Sequence, residues 1–318
     1  MALLDVQELK TYFFTEDGTV QAVDGVSFEL EPGQKMGLVG ESGCGKSVTA
    51  LSVMRLIPDP PGRIVSGRIL FDGIDLVQIP NDQMRTVRGR QISMIFQDPM
   101  TSLNPVFTVG NQIDEAIQLH QGLEAEKARQ KTLQMLETVN IANTDRVANS
   151  YPHELSGGMR QRCMIAMALS CRPKLLIADE PTTSLDVTIE AQILDLIDDL
   201  NRKLNTALML ITHDMGIIAE MSQKVAVMYG GTIVEMADTR TLFKAPQHPY
   251  TVGLMESIPS LSVEKTDLKI IPGSVPDLIR PPAGCRFHPR CDQCKEACRH
   301  ERPHLVDVGG GHLVACHL

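Results

Sequence analysis

The stretch Gly40-Glu41-Ser42-Gly43-Cys44-Gly45-Lys46-Ser47 has the spacing G-x-x-x-x-G-K-[ST]. Glycines there let consecutive backbone N–H groups point into one concavity at a helix N-terminus, where they cradle phosphate oxygens. Lys46 is then placed to reach the β- and γ-phosphates of a nucleotide, and Ser47 its Mg²⁺. Downstream, four apolar residues run into Asp179-Glu180. A strand ending so presents two carboxylates, Asp179 for the Mg²⁺ shell and Glu180 to polarise an attacking water. Alone, the dipeptide reads more readily as an ordinary strand followed by an acidic turn; the neighbouring motifs reverse that. Gln97 and His213 each follow an apolar run, at strand ends where polar side chains meet ligands. Leu155-Ser156-Gly157-Gly158-Met159 and Ser184-Leu185-Asp186 complete an ordered set.

The elements that must position these residues are legible in the periodicity. Up to about residue 35 apolar and polar residues alternate, as at Val23, Val26, Phe28 and Leu30, which predicts antiparallel strands closed by the turn Glu31-Pro32-Gly33. Met36 to Val39 predicts a buried strand, the loop follows, and Val48 to Leu56 predicts a helix stopped by Pro58. Between residues 108 and 171 the spacing of Val109, Ile113 and Ile117, then Leu133, Leu136 and Val139, turns helical. Leu175 to Ala178, Leu208 to Ile211 and Val225 to Met228 read as buried parallel strands, with a helix through Ile189, Ile193, Leu196, Ile197, Leu200 and Leu204. After about residue 245, prolines including Pro246, Pro249, Pro259 and Pro272 break anything long, predicting a linker into a loop-rich module.

The 318 residues suffice for one large α/β domain and a smaller appendage, and 43% apolar residues can fill a core. A formal charge of −9 argues against a broad nucleic-acid-binding face. No apolar run approaches the roughly 20 residues that span a bilayer, and Met1-Ala2-Leu3-Leu4-Asp5 lacks the regions of a signal peptide. The expectation is a soluble cytoplasmic protein able to dock on a membrane protein. Of eight cysteines, Cys285, Cys291, Cys294, Cys298 and Cys316 crowd the last 34 residues, which in a cytoplasmic chain suggests metal more than disulfide. Cys44, Cys163 and Cys171 read as small, partly buried residues; Cys44 would react with thiol reagents only if exposed.

In this order the motifs resemble the ATP-binding cassette family: phosphate loop Gly40 to Ser47, Q-loop Gln97, signature Leu155 to Met159, Walker B Leu175 to Glu180, D-loop Ser184 to Asp186 and switch His213. The resemblance implies an α/β P-loop NTPase core over residues 1–245, with an antiparallel β subdomain and an inserted helical subdomain at about 98–171. Residues 246–318 would form an extension with a Cys-rich module. It implies ATP binding by Phe13, Gly40, Glu41, Ser42, Gly43, Cys44, Gly45, Lys46, Ser47, Val48, Gln97, Asp179 and His213. Mg²⁺ would be held by Ser47, Gln97 and Asp179, with Glu180, His213 and Gln97 acting in hydrolysis. In a head-to-tail pair, Ser156, Gly157, Gly158 and Asp186 would act on the partner's ATP. Phe13 is the expected adenine stack, with Tyr12 and Phe14 close enough to compete and a plain strand role open to all three.

Within that family the chain resembles ATPase subunits of dipeptide and oligopeptide importers. The residues that carry this are Phe96-Gln97-Asp98-Pro99-Met100-Thr101-Ser102-Leu103-Asn104-Pro105, Tyr151-Pro152-His153-Glu154-Leu155, His248-Pro249-Tyr250-Thr251 and Gly284-Cys285-Arg286-Phe287-His288-Pro289-Arg290-Cys291. The resemblance implies a peripheral subunit at the cytoplasmic side of the cell (inner) membrane. It would work with a second, usually different, ATPase subunit, two permeases and an extracytoplasmic peptide-binding protein, and with no nucleic acid. Residues about 98–115 would form the permease-docking surface, or else a plain surface loop. Cys285, Cys291, Cys298 and Cys316 would hold a [4Fe-4S] cluster, with Cys294 an alternative ligand. Zinc is the competing expectation, since His288, His300, His304, His312 and His317 lie nearby in sequence. Nickel and glutathione importers share most of these features. A soluble cassette ATPase serving DNA repair, translation or Fe–S assembly is the reading from another class.

Overall fold

The structure, a computed structural model, describes residues 2–98, 102–183, 185–257 and 271–318. Met1, Pro99, Met100 and Thr101 of the expected docking surface, Ser184 of the D-loop and Pro259 lie outside the described residues. The chain forms two compact units: residues 1–31, 35–78 and 210–318 make the first, and residues 32–34 and 79–209 the second.

In the first unit β1 (Leu4–Thr15) and β2 (Gly18–Leu30) pair antiparallel, from Leu4 opposite Leu30 to Thr15 opposite Gly18. Val26, Phe28 and Leu30 are buried and alternate with more exposed neighbours, the period-2 signal of a one-sided strand. Val23 is buried too, although it lies three residues from Val26. Register shifts in β1 around Leu9 account for this: the ladder bulges where Glu8 and Gly25 adopt positive φ, which resets the facing of the strand. Next comes β3 (Lys35–Val39), buried beyond its first residue, then the phosphate loop and α1 (Lys46–Val53). A second antiparallel partner of β1, β4 (Gly62–Phe71), and the short β5 (Ile74–Asp75) complete a four-stranded sheet in the order β2-β1-β4-β5.

The second unit opens with α2 (Asn81–Val87) and β6 (Ile92–Ile95), which pairs in parallel with β7 (Leu175–Asp179), Ile92 opposite Leu175 and Ile95 opposite Ala178. Every residue of both strands is buried, as parallel strands covered on both faces require. Between them come α3 (Val109–Gln121), α4 (Ala125–Thr138), α5 (Thr144–Asn149) and α6 (Gly157–Leu169). Val109, Ile113 and Ile117 form the buried face of α3, whose Thr108 side chain caps its start. After β7, α7 (Val187–Leu204) buries Ile193, Leu196, Ile197 and Leu200 and ends at Asn205 in the left-handed region.

The chain returns to the first unit through β8 (Ala207–Thr212), then α8 (Met215–Met221) and β9 (Lys224–Tyr229), which runs parallel to β3. A Gly230-Gly231 turn with both φ positive joins β9 to the antiparallel β10 (Thr232–Asp238), the geometry of a tight two-residue hairpin. The helices α9 (Thr239–Lys244) and α10 (Pro249–Glu256) follow, then α11 (Glu296–His300) and the two-residue strands β11 (Val306–Asp307) and β12 (Leu313–Val314). Through β12 the tail adds itself to β10, Val314 opposite Glu235, so it belongs to the first unit and covers a sheet edge. No helix among the described residues is long and apolar enough to cross a membrane.

Candidate active site

The first unit carries the phosphate loop. Gly40 has φ +153°, and a Cβ there would overlap the Met228 carbonyl; Gly45, at φ +105°, would meet the Ala22 carbonyl. Gly43 has open space around it and is needed for its φ of +79° alone. Backbone crowding at the two ends therefore fixes the loop, and its middle stays concave. No side chain caps α1, whose first residues are Lys46, Ser47 and Val48, so its N-terminal N–H groups face the loop. Lys46 is buried, and its Nζ donates to the carbonyls of Gly40 at 2.7 Å and Glu41 at 3.0 Å. Cys44 is fully buried and burial pushes its thiol pKa up, so the exposure that reagent sensitivity would require is not there. His213 is exposed one residue after β8, just before Asp214, whose carboxylate caps α8.

The three aromatic residues of β1 are set apart by their partners. Tyr12 donates its hydroxyl to Asp24 at 2.9 Å, and burial followed by that carboxylate pushes its pKa up to about 12. Phe14 is 46% exposed under the Arg63 guanidinium, 5.4 Å from ring centroid to cation. Phe13 is half-buried, and its ring lies so close to Gly62 that only glycine fits there.

The second unit carries the carboxylates and the signature. β7 ends at Asp179, which is buried, and the next residue, Glu180, adopts φ 44°. A non-glycine residue in the left-handed region is held there by its surroundings. Gln97 Nε2 donates to Glu180 Oε2 at 2.9 Å, and Thr183 Oγ1 donates to the same oxygen at 3.1 Å. The two residues predicted to serve the attacking water are thus brought together. Ser156 caps α6 by accepting from the Met159 N–H, which leaves its own O–H to donate. A Cβ on Gly158 would come within 3.0 Å of Ile189 on α7, so glycine permits that approach; Gly157 has ordinary room. Asp186 caps α7 through the Ile189 N–H at 3.0 Å.

Sequence reading gave no site role to three residues that hold this machinery. Gln161, buried in α6, donates to the carbonyl of Pro181 just after Glu180. In the first unit Tyr250 and Arg290 both hold Glu41, the residue after the loop's first glycine. Nothing in the G-x-x-x-x-G-K-[ST] pattern marks Glu41, because that position tolerates any residue.

The tail cysteines form no disulfide. Burial, then the neighbouring Cys298, Cys316 and Cys291, push Cys285 up to about 11, with a backbone hydrogen bond at Phe287 partly offsetting them. Cys291 and Cys316 are raised as well, chiefly by burial, and each also feels nearby cysteines. The thiols named for the cluster therefore lie within electrostatic reach of one another, a soft donor set. Among the described residues, however, no three His, Cys, Asp or Glu side chains are close enough to hold one metal ion. Four of the five histidines that favoured zinc have other partners: His288 bonds the Cys285 carbonyl, His300 pairs with Glu296, His312 with buried Glu235, and His317 with the Glu301 carbonyl.

The ABC transporter family model matches residues 23–183, and the model of the oligopeptide/dipeptide transporter C-terminal region matches residues 234–298. The chain belongs to the ABC transporter family, among its ATP-binding proteins. It is 53% identical over 315 residues to the probable peptide ABC transporter ATP-binding protein y4tR of Sinorhizobium fredii, covering 99% of this chain and 94% of that one. The dipeptide transport ATP-binding protein DppD of Escherichia coli is 48% identical over 317 residues, covering 100% and 97%. Among solved structures, cbiO1 from Clostridium perfringens, part of the transporter complex cbiONQ, matches with TM-score 0.63 at 27% identity, covering 76% of this chain and 91% of that one. The dimeric ATP-binding cassette MJ0796 bound to ADP and Pi shares the fold, with TM-score 0.67 at 23% identity over 74% and 99%.

Proposed function

We propose that this chain is the ATP-hydrolysing subunit of an importer for dipeptides or oligopeptides, peripheral on the cytoplasmic side of the cell membrane. Its partners would be a second, different ATPase subunit, two permeases and an extracytoplasmic binding protein. The observation that carries the hydrolytic assignment is the Gln97–Glu180 contact at the end of β7, in a chain that also holds a complete phosphate loop. The names of its full-length relatives support the peptide cargo.

Gly40 to Val48 would bind the phosphates through backbone N–H groups and the Lys46 ammonium. Phe13 is the aromatic assigned to adenine, since Tyr12 is engaged with Asp24 and Phe14 with Arg63. Ser47, Gln97 and Asp179 offer a hydroxyl, an amide oxygen and a carboxylate, an all-oxygen set that fits Mg²⁺; the ion would neutralise developing phosphate charge. Glu180 would take the proton of the attacking water while Gln97 orients it, and His213 would contact the γ-phosphate. Ser156, Gly157, Gly158 and Asp186 would complete the site of the partner subunit, with the α6 N-terminus turned to its γ-phosphate. Residues about 98–115 would dock a permease. In the tail, Cys285, Cys291, Cys298 and Cys316 would hold a [4Fe-4S] cluster that staples a small module poor in apolar sequence, with Cys294 as an alternative ligand. The crowding of five cysteines into the last 34 residues supports that reading, with zinc as the alternative.

The test is Glu180→Gln in the assembled transporter. ATP binding is retained while turnover falls by about a hundredfold or more, the scale of a lost general base. Undiminished phosphate release, with the second subunit's site disabled, contradicts the role of Glu180.

A further inference from the structure

We propose that Arg290 and Tyr250 are positioning residues for ATP turnover: from the C-terminal region they fix Glu41 and so set the pose in which the phosphate loop receives the triphosphate. The proposal rests on the ATPase reading above and gives a role to two residues that lie outside the nucleotide-site motifs, in stretches that carried only the likeness to peptide importers.

Arg290 forks onto the Glu41 carboxylate, one terminal nitrogen donating to Oε2 at 2.6 Å and the other to Oε1 at 3.0 Å. Such a bidentate pair fixes orientation as well as distance. The guanidinium is itself held on its other edges. Its Nε donates to the Pro272 carbonyl at 2.8 Å, one terminal nitrogen also reaches the Ile271 carbonyl at 3.2 Å, and the other reaches the Tyr229 hydroxyl at 3.4 Å. Only 6% of the Arg290 side chain is exposed. From the other side the Glu41 backbone N–H donates to the Tyr250 hydroxyl at 2.9 Å. Tyr250 is fully buried, its ring 4.6 Å from Tyr229 and 5.4 Å from Phe287 by centroid. Glu41 is thus gripped by backbone and side chain together.

Its carbonyl is also one of the two on which the Lys46 ammonium rests, so the grip reaches the cation meant for the phosphates. Charge matters as much as shape. A carboxylate in a phosphate-binding loop repels the ligand, and the guanidinium fork compensates it locally. Arg290 immediately precedes Cys291, so the fork lies beside the cysteine-rich segment.

The experiment is a double-mutant cycle on ATP hydrolysis by the assembled transporter, reading kcat and KM for Mg-ATP. Arg290→Ala raises KM by about tenfold or more with a smaller change in kcat, the scale of a lost charged hydrogen bond that leaves its partner unpaired. Adding Glu41→Gln to Arg290→Ala removes that unpaired charge and recovers most of the KM, and Arg290→Lys falls between. An unchanged KM in Arg290→Ala, or a double variant no better than the single, overturns the proposal, because an arginine that only holds the fold is not rescued by neutralising Glu41. If Arg290→Ala does not assemble, Tyr250→Phe decides: it deletes one hydroxyl, and KM rises about fivefold with kcat kept. An unchanged KM there also overturns the proposal. A wild-type transporter without ATP turnover defeats the ATPase reading itself; a working one with indifferent variants defeats only the positioning role.

Discussion

Glycine is demanded at positions 40 and 45 by carbonyls of Met228 and Ala22 that leave no room for a Cβ, and this is why the phosphate loop could be read from sequence at all. The constraint acts on the backbone and so shows as residue type at fixed spacing. Gly45→Ala makes the point testable. At φ +105° and against the Ala22 carbonyl, the added methyl costs about 1–3 kcal/mol. The expected result is a large loss of nucleotide affinity in equilibrium titration together with a lowered melting temperature. Wild-type affinity would mean that the loop is not held as described. The pairing of Arg290 with Glu41 was invisible for the opposite reason: it spans 249 positions of sequence, and no local pattern records such a contact. Glu180 stands between these cases. Its identity was legible beside Asp179, but its positive φ and its contacts with Gln97 and Thr183 were not.

Elements with strong periodicity were predicted in kind and displaced mainly at their ends. The helix expected from Val48 to Leu56 runs Lys46–Val53, because the glycine loop itself nucleates it. The strand of Leu175 to Ala178 extends to Asp179, and the helix through Ile189 to Leu204 begins at Val187 behind its Asp186 cap. By contrast, β12 has two residues and thus no period to read; its pairing with β10 is a tertiary decision. The short α10 carries a pH prediction. Its cap, His248, accepts from the Tyr250 N–H through Nδ1, while burial depresses its pKa from 6.5 to about 4. The unfolded chain therefore binds a proton that the folded chain refuses across that interval. Stability is complete above about pH 6.5 and falls as pH drops toward 4, by about 3 kcal/mol for this group. His248→Asn keeps a capping acceptor and removes the titration. Denaturant melts between pH 7 and 4.5 should show a shallower loss in the variant, and parallel curves would contradict the assignment.

At the scale of the whole molecule, residues 271–318, which fall in the expected C-terminal extension, cluster with the first unit. Asp24 of β2 shows how. Burial pushes its carboxyl pKa up, but Arg302, Tyr12, Lys10 and Arg286 together hold it below the usual range, and two of those four belong to the tail. Arg286 reaches Asp24 at 2.7 Å and Arg302 at 2.6 Å, so the tail is bonded to the N-terminal sheet as well as to the phosphate loop. Such long-range ion pairs leave no trace in composition or periodicity. What the complete assembly does with ATP is read by uptake of a labelled oligopeptide into proteoliposomes carrying the chain, its ATPase partner, the permeases and the binding protein. Peptide accumulation is expected to require ATP and to be lost with Lys46→Ala, alongside ATP turnover stimulated by the loaded binding protein. ATP hydrolysis indifferent to peptide, or accumulation undiminished by Lys46→Ala, would contradict it.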